Sequence, residues 1–215
     1  IQHQLYATMP KYVIRMLGEQ ARPEWLANVN PLVVVIFVVL ITQWMKKQKA
    51  VNSMLYGMIL MPFSALAMSA GPLVESFTGK ELSVLGMIML HPLTLMMIVG
   101  IAIQGLAECF ISPRFLEYFS FQAPKGEEGL YLGFSHLHSF ISALVGFIMS
   151  GFLLDHYCPD PHTLPAGISA VEKAARYAHA HYIWYYFVVI GLTAALALWI
   201  FKLVTERIDA KKQAA

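Results

Sequence analysis

Residues 26–43 read LANVNPLVVVIFVVLITQ, eighteen positions without a charge, bracketed by Trp25 and Trp44. A helix needs about 20 apolar residues to cross the hydrocarbon core of a bilayer. Tryptophans at both ends are what an aromatic belt at the two interfaces requires. Similar runs recur along the chain, and the composition agrees with them. Apolar residues make up 58% of the 215 residues and charged residues 13%, with a mean hydropathy of +0.59, whereas a soluble domain carries roughly 25% charge. A disordered chain, a disulfide scaffold and a water-soluble enzyme are thereby excluded. The two cysteines, Cys109 and Cys158, make no framework, and a net charge of +2 without a basic cluster argues against nucleic acid as a partner. The expectation is an all-α, multi-pass membrane protein whose first partner is the lipid bilayer.

Spans are expected at about 26–45, 51–70, 92–121, 129–154 and 183–204, with a partial one over 1–17. The stretch from Leu82 to Phe121 would be about twice the bilayer core as one helix, so Leu82–His91 reads as an interfacial lead-in. The opening IQHQLYATMPKYVIRMLG is no signal peptide. It reads as the exit half of a helix, and the chain is expected to be one half of something larger. Of the 15 Lys and Arg residues, nine fall in the KKQK loop at 46–49, the Arg114–Glu128 segment and the C-terminal tail. By the positive-inside bias these face the cytoplasm, and Asp155–His181 becomes an external loop. In that loop Ser169 and Glu172 have capping-box spacing, which predicts a short helix.

Polar residues inside such spans mark function by default, because a carboxylate at the bilayer centre costs at least ~2.5 kcal/mol. Glu108 lies deep in an apolar run, and Gln104, Glu108 and Ser112 share one helix face at i, i+4, i+8. A dry setting favours the neutral carboxyl unless a cation is near, so Glu108 can carry a proton or bind an ammonium. The alternative is a structural carboxyl bonded to a neighbouring helix. Pro113 frees the carbonyl one turn back and can act as a hinge. It can equally be a tolerated membrane proline. Asn30-Pro31 is expected to break its own helix, with Asn30 either a substrate ligand or an interhelical hydrogen-bonding group. His136 and His138, at i and i+2, point to opposite sides and cannot simply share a metal, so no metal or other cofactor is expected. Ser135, Ser139, Ser142 and Gly146 form a small-residue stripe, and the twelve methionines read as filler.

The block Glu108-Cys109-Phe110-Ile111-Ser112-Pro113, followed by Ala123-Pro124-Lys125 and Gly129-Leu130-Tyr131-Leu132-Gly133, resembles the tenth and eleventh helices of proton-coupled oligopeptide transporters of the major facilitator superfamily. Asn30-Pro31 is similar to that family's eighth helix, and the run His179–Trp184 to the entry into its last. The resemblance implies a six-helix bundle, helices seven to twelve, forming the C-terminal half of a twelve-helix transporter that works by alternating access. It implies that Glu108 contacts the peptide amino terminus and couples protons, and that Asn30 contacts the peptide backbone. Ser135-His136 stand where the family usually has Trp-Phe; together with Gln104 they complete the substrate-lining set.

The leading expectation is therefore secondary active transport, with protons and a peptide or similar small solute as partners and no enzyme activity. The missing half would lie on the same gene or on another chain. A bacterial inner membrane with a cytoplasmic C-terminus fits. The alternative is a transporter-derived, non-transporting subunit of a larger membrane complex. A haem- or quinone-handling enzyme rests only on the eight histidines.

Overall fold

The computed structural model describes residues 4–18, 21–84, 88–165 and 167–214. Residues 1–3 of the expected partial helix, and 85–87 of the expected lead-in, lie outside the described residues. Ten α-helices, one 3-10 turn at Pro161–Thr163 and one pair of short strands are described: α1 Gln4–Leu17, α2 Glu24–Ala27, α3 Val29–Met45, α4 Ala50–Ser69, α5 Gly71–Thr78, β1 Leu82–Val84, β2 Ile88–Leu90, α6 Pro92–Gln122, α7 Glu128–Ser135, α8 Leu137–Tyr157, α9 Ala170–Tyr177 and α10 Tyr182–Ala214. Five helical stretches are long and apolar enough to cross a membrane: Glu24–Met45, Ala50–Ser69, Pro92–Gln122, Glu128–Tyr157 and Val171–Lys211. The chain is an all-α, multi-pass membrane protein.

α6 is the hub, with α3, α4, α5 and α7 all packed on it. Its crossing with α4 is close because Gly57 carries no side chain. A Cβ there would lie 2.6 Å from the Ala107 carbonyl oxygen and 2.5 Å from Ile111 Cγ1. Small residues allow this approach in a medium where apolar burial itself supplies little drive between helices. α10 lies along α4, and α8 packs on α1, where the hydroxyls of Thr8 and Ser150 share a buried hydrogen bond of 2.7 Å.

The apolar core is gathered at one end of the bundle. Met9, Tyr12 and Val13 of α1 meet Leu26, Met68, Met97, Ile101, Leu154, Trp184 and Phe187 there. Tyr12 and Trp184 stack edge to face, with ring centroids 5.4 Å apart. This is the end at which α1, α4 and α8 finish and α3, α6 and α10 begin.

Three local features differ from expectation. The helix break near Asn30-Pro31 falls two residues earlier, at Asn28, and Pro31 sits in the first turn of α3. A missing N–H has no intrahelical partner to lose in a first turn. The lead-in before Pro92 is a two-stranded antiparallel hairpin pairing Leu82 with Leu90 and Val84 with Ile88, whose backbone groups pair with each other instead of being left open. The span expected over 129–154 lies within the single stretch Glu128–Tyr157, but its helix carries an unexpected turn at His136. There the His136 N–H bonds Gly133 O and the Ser139 N–H bonds His136 O, a tightened i to i+3 turn. The capping box at Ser169 and Glu172 is formed and starts α9.

Candidate functional site

The three residues expected on one face of α6 lie on a continuous helix and are graded in exposure. Gln104 is 1% exposed, Glu108 is half-buried and Ser112 is exposed. The same stripe begins with Met97 and Ile101 in the core, so this face leaves the packed end and opens toward the other. Glu108 forms no hydrogen bond or ion pair with any other described residue. The faces on either side of it are taken. Ala107 and Ile111 abut Gly57 of α4, and Cys109 Sγ donates to Val34 O of α3 at 3.9 Å.

Asn30 is 6% exposed, and its Nδ2 is buried without a hydrogen-bond acceptor. It sits at the α3–α6 crossing, where a Cβ on Gly105 would lie 3.1 Å from the Asn30 carbonyl oxygen. Asn30 and Gln104 are therefore both enclosed near this crossing, one turn of α6 toward the packed end from Glu108.

α6 runs through Pro113 without interruption. Pro113 supplies no N–H to Cys109 O, and the next carbonyl, Phe110 O, accepts 2.8 Å from Ser53 Oγ of α4. A side chain from a neighbouring helix thus reaches the backbone beside the proline, as membrane prolines require. Pro113 faces a shallow recess of about 280 Å³ shared with Val38, Val39, Thr42 and Gln43 of α3.

Ser135 and His136 fall at the junction of α7 and α8. Ser135 is buried, and its hydroxyl donates to Leu132 O of its own helix at 2.7 Å; His136 is exposed. Its neighbour His138 packs its ring 4.9 Å from the Phe115 ring of α6 and holds Ser135 O through Nδ1. The two histidines therefore have different surroundings. Among the described residues no group of three or more His, Cys, Asp or Glu side chains could hold a metal ion.

Sequence reasoning counted Arg114 only as a loop cation. It is buried, donating from Nη2 to Met45 O at the end of α3 and from Nη1 to Glu117. A guanidinium at a helix C-terminus satisfies a carbonyl that has no intrahelical donor and complements the helix dipole. Arg114 thereby ties α3 to α6 one residue past Pro113. Its placement inside an apolar helix, with Glu117 at i+3, was the available signal.

A charge-poor bundle of helices long enough to cross a membrane, with one half-buried carboxylate on its central helix that pairs with no described residue, defines a multi-pass membrane protein. The family model of the POT family matches residues 3–163, and the chain belongs to that family, whose members are proton-coupled peptide transporters and not enzymes. No curated protein and no solved structure matches it.

Proposed function

We propose that this chain forms helices seven to twelve, the C-terminal half, of a transporter that couples proton movement to uptake of peptides or similar small solutes by alternating access. The observation that carries the reading is Glu108, a half-buried carboxylate without a described hydrogen-bond or ion partner, on the face of α6 that runs from the core to the open end. Such a group gains or gives up a proton according to what approaches it, and a substrate ammonium favours the charged form. In folds of this kind the substrate lies between two halves near the bilayer midplane. The partner half, on the same gene or another chain, would cover this face.

Glu108 is the proton-coupling residue and a substrate ligand in this reading. Gln104, Asn30, Ser135 and His136 are the further lining candidates, with Asn30 and Gln104 reached only if α3 and α6 separate near Gly105. Pro113 is the place where α6 can bend. The KKQK loop and the C-terminus face the cytoplasm, in a bacterial inner membrane.

The test is pH-driven peptide uptake by the complete protein with Glu108→Gln. Uptake driven by a proton gradient is expected to vanish while the protein still folds and elutes as a single species. Undiminished pH-dependent uptake would remove the coupling role. The intact mass from the native membrane tests the half-domain placement: about twice the 24.1 kDa of this chain is expected if both halves share one polypeptide.

One observation favours the second reading, a non-transporting subunit. Ser135 is turned back onto its own helix at a place where the family usually presents a large lining side chain. Extraction in mild detergent as a stable complex with other chains, without uptake activity, is the result that reading requires.

A further inference from the structure

At the packed end of the bundle a cleft of about 980 Å³ opens between α1, the segment after α5, the loop after α8, and α9. Its walls bring together four cations that are distant in sequence: Lys11 and Arg15 of α1, Lys80, and Lys173 of α9. Asp160 is the one carboxylate on the described lining, and it is engaged by Arg15, whose Nη2 stands 3.7 Å from its Oδ2. Arg15 also donates to Cys158 O at 2.6 Å. Glu172, beside Lys173, is committed to the N–H and hydroxyl of Ser169. Lys11, Lys80 and Lys173 are left as three ammonium groups without a described partner.

Three like charges around one cleft repel one another, and an anion between them relieves that repulsion. The cleft is far larger than a bare phosphate, and Ile14 and Leu17 of α1 give it an apolar side. The segments that supply the lysines also carry large apolar side chains pointing outward: Val171, in the α9 turn that bears Lys173, is 79% exposed, and Phe77, just before Lys80, is 82% exposed. A short helix with basic residues and exposed apolar ones lies at the boundary between headgroups and acyl chains. Basic pockets between membrane helices hold acidic headgroups, each Lys or Arg near an anionic surface contributing roughly fivefold in affinity.

We infer that the cleft bounded by Lys11, Lys80 and Lys173 binds the phosphate headgroup of an acidic phospholipid. The site lies apart from the Glu108 face and does not depend on the transport reading.

The experiment measures thermal unfolding of the protein in nonionic detergent, titrated with phosphatidylglycerol, with phosphatidylcholine, or with inorganic phosphate alone. Phosphatidylglycerol is expected to raise the midpoint where phosphatidylcholine does not. The triple variant Lys11→Gln, Lys80→Gln, Lys173→Gln should weaken that binding about a hundredfold. These lysines hold no described residue, so the variant should elute as the parent does. Lys46→Gln with Lys47→Gln and Lys49→Gln, at the opposite end, should leave the effect intact. Equal stabilisation by both lipids, an unaltered response in the first variant, or an equal loss in the second overturns the site. Inorganic phosphate reproducing the whole effect at millimolar concentration overturns the lipid assignment in favour of a free phosphate.

Discussion

The two ends of this bundle are built on different principles. At the packed end, aliphatic, aromatic and methionine side chains from α1, α2, α4, α6, α8 and α10 fill one cluster around Tyr12 and Trp184. At the open end α3, α4, α6, α7 and α8 carry polar fastenings: Arg114 on Met45 O and Glu117, Ser53 on Phe110 O, and His138 on Ser135 O. Close packing resists any change of volume, whereas single hydrogen bonds break one at a time at modest cost. The stripe bearing Glu108 runs between the two regimes.

The comparison is broken most severely by Trp184→Ala, which empties the packed end. A loss of about 3–5 kcal/mol is expected, read as a lowered unfolding midpoint in detergent, and a loss below about 1 kcal/mol would show that this end does not hold the bundle together. Gly57→Val attacks the α4–α6 crossing, where the obstructing atom is the Ala107 backbone oxygen and cannot swing aside. About 1–3 kcal/mol should be lost. A crosslink between cysteines placed across that crossing should also form more slowly.

At the open end, Arg114→Met should cost about 1.5 kcal/mol, since a buried carbonyl loses a charged donor. Here the effect is local: hydrogen exchange should rise in the last turn of α3 while the Trp184 region stays protected. Loss of protection at both ends would mean that the ends are not independent.

The smallest effect concerns α9. The Ser169 hydroxyl, and then its N–H, hold the Glu172 carboxyl below its ordinary value of 4.5. A lowered folded-state value means that the cap's stabilisation is complete above about pH 4.5 and is lost as pH falls through that lower value. Ser169→Ala should abolish this acid dependence of α9 exchange and leave the membrane helices untouched.

The membrane helices were legible because their signal is length: α3 and α4 are both charge-free runs. The α9 cap was legible because Ser-x-x-Glu states its own hydrogen bonds. The interruptions were not. Pro31 points to the break at Asn28 only to within three residues, and no glycine or proline occupies position 136. The strands Leu82–Val84 and Ile88–Leu90 are written, Ser83 apart, in the same Leu, Ile, Val and Met as the spans, and are only 3 residues each, too short for alternation to declare itself. In the candidate site, Glu108 announced itself as a carboxylate in an apolar run. That Asn30 is enclosed, and that Ser135 donates to its own backbone, depended on helix rotation, which spacing alone leaves undetermined. Arg114 was misjudged because a cation near a helix end looks alike whether it turns out to water or inward to a carbonyl.

The turn at His136 divides a single apolar segment between two neighbours. α7 leans on α6, while α8 leans on α1 and is pinned there by Ser150. At its start α8 also meets α6, His138 packing on Phe115, so the φ and ψ of His136 set the angle between a contact with α6 and a contact with α1 made by one continuous apolar segment.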